Sequence, residues 1–263
     1  MGEDTMLAAL HGELAVHPWH DPETDASDAY SLFFARSSAM AWLTDAAPDA
    51  HGGLWGMNDA GQDDEADSPG PMTRKLWFQV SLTGSAAAER PLPTQPFLSC
   101  AGDVAARIGV LNLRALQILV PVPIRAEAGG TVTPTVLSLL QEAGWLADTD
   151  SRLARRVQVI LDGGQVPSIV DAAPGMLAWM RTFEQGVFSC DPTPARGDAD
   201  EAAGLVPGIA DHLWNGPGHH CVTVHGTLAE WSLDALGWLI AFLAEAGAQH
   251  GVRDPLVLTV RTL

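Results

Sequence analysis

Hydrophobic and polar positions along the chain switch period repeatedly, and each switch predicts an element. Residues 30–43 repeat at helical spacing, whereas 76–82 (LWFQVSL) alternate as a strand does. Residues 103–113 fit either period. The apolar run 116–122 (LQILVPV) predicts a strand, and Pro121 and Pro123 place it near an edge or an end because proline cannot donate to a ladder. Thr133 followed by Pro134 is a helix start, threonine as N-cap and proline as first helical residue. That helix runs through VLSLLQEA and stops at Gly144. The next strand is 157–161 (VQVIL), closed by Asp162-Gly163-Gly164.

The last third repeats this plan. Residues 219–225 (HHCVTVH) predict a strand from their β-branched alternation. Thr227 and Glu230 have capping-box spacing, opening a helix whose apolar positions include Leu228, Trp231, Leu236, Leu239, Ile240 and Leu243. Gly247 ends it, and 256–260 (LVLTV) form the final strand.

The two stretches align. LQEAG at 140–144 and LAEAG at 243–247 are 103 residues apart, and the same offset lays 116–122 on 219–225. An offset near 100 lays VQVIL on LVLTV. The expectation is an internal duplication. The predicted fold class is α+β, two similar halves each centred on a strand–helix–strand unit and packed into one pseudo-symmetric body. Residues 1–27 are assigned to an N-terminal arm, 28–164 to the first half and 165–263 to the second. The acidic, turn-rich stretches 58–71 and 191–203 lack periodicity and read as solvated loops.

Composition narrows the function. The 263 residues are 47% apolar, enough for a buried core in one large domain or two small ones. Asp and Glu number 32 against 14 Lys and Arg, a net charge of −18. That balance excludes nucleic acid as the main partner, and an anionic membrane surface with it. No apolar run reaches the ~18 residues a spanning helix needs. The N-terminus lacks a basic region and carries Glu3, Asp4 and Glu13, unlike a signal peptide. Cys100, Cys190 and Cys221 are too few and too scattered for a disulfide framework and form no C-x-x-C pair. The expected setting is a reducing cytoplasm, and the Ala/Gly/Pro-rich composition with one lysine, Lys75, suggests a bacterium with a GC-rich genome.

Candidate chemistry concentrates where four of the nine histidines lie, in DHLWNGPGHHCVTVHG. On a strand, His219, Cys221, Thr223 and His225 share one face. At the 103 offset the matching positions are Leu116, Ile118, Val120 and Val122, all apolar. One pocket beside a structural twin would look like this. His219 and Cys221, ~6.5–7 Å apart on strand arithmetic, can jointly grip one metal, whereas His225 lies about 13 Å from Cys221. A third metal ligand would have to come from His212, Asp211, or His17 and His20. No metal signature such as H-E-x-x-H occurs, and no cofactor is identified. The ligand-binding candidates are therefore His219, Cys221 and His225, with His212 and Trp214. Phosphate-binding glycine motifs and a nucleophile elbow are both missing, so no catalytic residue is assigned. Arg152, Arg155 and Arg156 read as a helix end or loop pairing with local carboxylates, at most a minor anion site.

Nine tryptophans stand against one tyrosine, Tyr30. Most occupy core-type positions. Trp55 and Trp214 instead sit among glycines and are the interface candidates, as loop aromatics anchor partners. The expected function is thus an acidic binding or adaptor protein engaging a basic protein partner, for example by neutralising or chaperoning it. The alternative is an enzyme, or a small-molecule or metal-binding protein, with a single pocket at the 219–225 strand.

Overall fold

Nine strands join into one antiparallel sheet: β1 (Thr5–Val16), β2 (Trp55–Gln62), β3 (Arg74–Leu82), β4 (Gly109–Val120), β5 (Arg155–Asp162), β6 (Phe188–Cys190), β7 (Ala195–Arg196), β8 (Cys221–Leu228) and β9 (Leu256–Thr262). Their order is β2-β3-β1-β4-β9-β5-β8-β6, with β7 also along β8. Among the described residues five helices connect them: α1 (Ala29–Ala39), α2 (Thr94–Ile108), α3 (Pro134–Ala147), α4 (Ser168–Met180) and α5 (Leu233–Gln249). The structure is a computed structural model and describes residues 5–21, 26–44, 53–63, 73–83, 90–123, 132–192, 195–196 and 220–263. The fold is α+β. No described helix is long and apolar enough to cross a membrane.

Each of these five helices links two strands that lie parallel with one antiparallel strand between them. Thus β3 and β4 flank β1, β4 and β5 flank β9, and β8 and β9 flank β5. These are split β-α-β units. The helices cover the sheet face presented by Leu76, Phe78 and Val80 of β3, Leu116, Ile118 and Val120 of β4, and Val222 and Val224 of β8. Helix α5 is buried along nearly its whole length, consistent with a sequence apolar all round. Against it α2 packs so closely that Thr94 donates to the Gly237 carbonyl at 2.7 Å. The opposite sheet face is buried as well but more polar, carrying Gln117, Thr259, Gln158 and Thr223 beside a small Leu7, Leu119 and Val257 cluster.

Several expectations change here. Residues 5–16 are no arm: β1 lies between β3 and β4 in the sheet interior. Opposite Gly12 a bulge shifts the register and flips the facing of β4, not of β1: Leu111 and Leu113 lie toward the core before it and Leu116, Ile118 and Val120 after it, while β1 keeps Met6, Ala8, Leu10 and Leu14 on the core side throughout. Gly12 has φ +155°, and a Cβ there would stand 2.1 Å from the Asn112 carbonyl oxygen. Residues 58–62, read as loop, belong to edge strand β2, which β3 holds by backbone bonds that need no apolar pattern. The rest of that stretch, 64–72, and most of 191–203 fall outside the described residues.

Thr133 and Pro134 start α3 as expected, with the Val136 amide donating to Thr133 Oγ1 at 3.2 Å. Thr227 does not cap a helix. It continues β8, paired with both β5 and β6 through Leu228, and α5 is capped by Ser232, which accepts from the Ala235 amide at 3.1 Å. Glu230 instead accepts from the Ser232 hydroxyl.

Candidate functional site

Alternation along β8 sets Cys221, Thr223 and His225 on the sheet face away from the helices. Cys221 is buried against Ile160. It pairs across the ladder with Asp162, whose carboxylate accepts from the Gly164 amide at 2.8 Å. His225 is half-buried opposite Gln158, which accepts from Arg261 Nε at 2.5 Å. The His225 carbonyl accepts from the Asp191 amide at 2.8 Å. The Asp191 carboxylate takes two guanidinium bonds from Arg156, at 3.1 and 2.8 Å, which hold its pKa below the usual range. His219, His212, Asp211 and Trp214 lie outside the described residues. Among the described residues no three His, Cys, Asp or Glu side chains form a metal-holding group.

The comparison with a twin face needs correcting. Leu116, Ile118 and Val120 point into the helical core, whereas Cys221 faces away from it. The 103 offset therefore compares opposite sides of the sheet, since a change of one residue in register exchanges the faces. His17 and His20 follow β1. The His17 ring stacks on Trp19, with centroids 4.9 Å apart, and its Nε2 lies 3.2 Å from the Ala106 carbonyl oxygen. Trp55 is not a loop residue. It starts β2 fully buried, within 6.3 Å of Phe33, Trp42 and Phe97 ring to ring, and offers no surface to a partner.

Two surface features emerge that the sequence reading did not single out. One is the outer face of α3. Trp145 is 84% exposed and Leu137 53% exposed. Spaced at i and i+8, with Gln141 between them at i+4, they form one stripe. Glu142 in the last turns of α3 and Asp148 and Asp150 just beyond its end are all exposed.

The other is an open cleft of about 500 Å³ at the end of the sheet, under the N-terminus of α5. It is lined from β4 by Asn112, Leu113 and Arg114, from β5 by Arg155, and from the α5 approach by Glu230, Trp231 and Ser232. The β1–β4 bulge builds the β4 side: His11 pairs with Ala115 and Gly12 with Leu113, which leaves Arg114 as the extra residue. Trp231 Nε1 donates to the Leu113 carbonyl at 2.9 Å and pins the α5 approach to the bulge. Among the described residues, Arg155 Nη1 bonds the backbone carbonyls of Arg152 and Ala154, at 2.8 and 2.9 Å. The sequence signal for this cleft was the Arg152, Arg155 and Arg156 cluster. Arg156 meets Asp191 and Arg152 stands 3.9 Å from Asp150, while Arg155 has no carboxylate partner among the described residues. Arg114 and Trp231 reach the cleft from distant parts of the chain and carried no such signal.

Compared with protein-family models and with curated protein sequences, the chain matches none.

Proposed function

We propose that this chain is an acidic binding or adaptor protein for a basic protein partner, and that the outer face of α3 is the surface it uses. Trp145 carries the reading. A tryptophan 84% exposed on a regular helix leaves most of a large apolar ring in water, and tryptophan is the residue most enriched among interface anchors. Leu137 extends the stripe, and Glu142, Asp148 and Asp150 border it. A chain of net charge −18 attracts a basic surface at long range, and this border continues the attraction at contact. The free thiols of Cys100, Cys190 and Cys221 fit a reducing cytoplasm, and the composition fits a bacterial source.

A photo-crosslinker at Gln141 tests this, with the captured protein identified by mass spectrometry. The expected partner is basic, and capture is lost in Trp145→Ala and in about 0.5 M salt, where charges are screened beyond a few ångströms. An acidic partner, or capture unchanged by both perturbations, overturns the reading.

A two-half build of the chain is part of the same proposal. What supports it is connectivity: read inward from the two edges, β2-β3-β1-β4 and β6-β8-β5-β9 follow the same order of chain passage. In that reading β1 matches β5, α2 matches α5 and β4 matches β9, a different alignment from the one the LQEAG and LAEAG segments suggest. Superposing residues 5–120 on 155–262 tests it; if α2 and α5 do not coincide once the strands are overlaid, the halves are unrelated.

A further inference from the structure

We propose that the cleft beneath the start of α5 binds a small organic oxyanion, a phosphate or carboxylate carrying an apolar body, between Arg114 and Arg155. Both guanidinium groups reach the cleft, and neither is held by a carboxylate among the described residues. Acidic side chains outnumber basic ones more than twofold, and four described arginines, Arg36, Arg74, Arg152 and Arg156, lie within 4.0 Å of a carboxylate. The two in the cleft do not. Arg114 makes no side-chain hydrogen bond or ion pair among the described residues. Arg155 spends one nitrogen, Nη1, on the Arg152 and Ala154 carbonyls, which fixes the plane of the guanidinium and leaves its other N–H donors for a ligand.

The remaining lining suits such an anion. Guanidinium groups match carboxylate and phosphate oxygens in paired, charge-assisted bonds. The N-terminus of α5 adds a positive field on the same side, which the Ser232 cap and Asp234 of its first turn partly offset. Against an anion stand Glu230, which accepts the Ser232 hydroxyl, and the main-chain carboxylate of Leu263, which also lines the cleft, so binding depends on the two arginines outweighing them. Trp231 and Leu113 supply apolar wall, with Trp231 held by its bond to the Leu113 carbonyl. A cleft of about 500 Å³ lies within the range of small-molecule sites and is far larger than a lone ion needs. The shape and the charge together select a small molecule with one anionic end.

The whole chain, isotopically labelled, is titrated with phenyl phosphate, benzoate and neutral benzyl alcohol, following the backbone amides and the arginine Nε–H signals. Saturable shifts at Arg114, Trp231 and Ser232 are expected for at least one anion, with no saturation by benzyl alcohol. The stronger anion identifies the headgroup class. Arg114→Gln and Arg155→Gln are each expected to weaken binding roughly tenfold, the loss of one charged hydrogen-bonding group. Arg114→Gln is the cleaner variant, because that side chain makes no other hydrogen bond or ion pair among the described residues. The proposal is overturned if neither anion saturates below about 10 mM, a threshold already weaker than useful small-ligand affinity. Equal binding of benzyl alcohol, or Kd unchanged in Arg114→Gln, overturns it as well.

Discussion

Replacing Gly237 by alanine sets two opposing effects against each other, and the structure decides the sign. In an isolated helix the change stabilises by about 1 kcal/mol, because glycine has more backbone freedom to lose. In α5 the new Cβ would stand 2.6 Å from the Gln95 Cα and 2.9 Å from the Gln95 nitrogen. Both are backbone atoms of α2, so no side chain can rotate away. Relief requires the two helices to part by nearly 1 Å, an overpacking cost of about 1–3 kcal/mol. The same movement stretches the 2.7 Å bond from Thr94 to the Gly237 carbonyl, worth about 1 kcal/mol. The net expectation is a loss of about 2 kcal/mol. Gly144 provides the control, since it lies in α3 with nothing within 4 Å of the added Cβ. Gly144→Ala is expected to stabilise by somewhat under 1 kcal/mol, being close to the helix end. Urea unfolding followed by tryptophan fluorescence and circular dichroism measures both. With an m-value of about 3 kcal/mol/M for a chain of this size, the midpoints move by about 0.7 M downward and 0.2 M upward respectively. If Gly237→Ala is neutral or stabilising, the close approach of α2 to α5 is refuted, and with it the burial of α5 as the centre of the helical layer.

Further expectations follow from burial and capping. Burial pushes the Cys100 thiol up to about 11, the Ser37 hydroxyl 3.4 Å away opposing it, so half-buried Cys190 should react first with a thiol reagent at pH 8 while Cys100 and Cys221 wait for unfolding. Since the unfolded thiol ionises near its ordinary value of 9.0, the stability Cys100 contributes is complete below that pH and declines as pH rises toward about 11; Cys100→Ala should flatten that decline in alkaline melts. Asp28 caps α1 by accepting from the Ser31 amide at 2.9 Å, which lowers its pKa, so Asp28→Ala should cost about 1 kcal/mol at pH 7 and progressively less as acid protonates the native carboxylate. Trp145→Ala should change stability by no more than about 0.5 kcal/mol, because an exposed side chain has little packing to lose; a larger cost would make it a structural residue.

What the residues determined alone was local. Thr133 and Pro134 start α3 because an N-cap and a fixed φ act within one helical turn. The β-branched run of β5 and the apolar sequence of α5 identify themselves whatever surrounds them. The alternation of Cys221 and His225 onto one face was equally legible, because it is a property of any strand. Which side of the sheet that face occupies was not, and reading it across a 103-residue offset compared core with the opposite surface. Strand β2 was invisible for a related reason: an edge strand held by its neighbour's backbone needs no hydrophobic code. Trp55 looked like a loop residue among glycines until β3, α1 and α2 closed around it. The cleft lay furthest from sight. Arg114 is turned out by a bulge that depends on Gly12, about a hundred residues earlier, and it meets Arg155 and Trp231 only because β4, β5 and the approach to α5 converge at one end of the sheet. Periodicity records which face of an element is buried; which elements become neighbours depends on long-range pairing, and only the folded chain contains that.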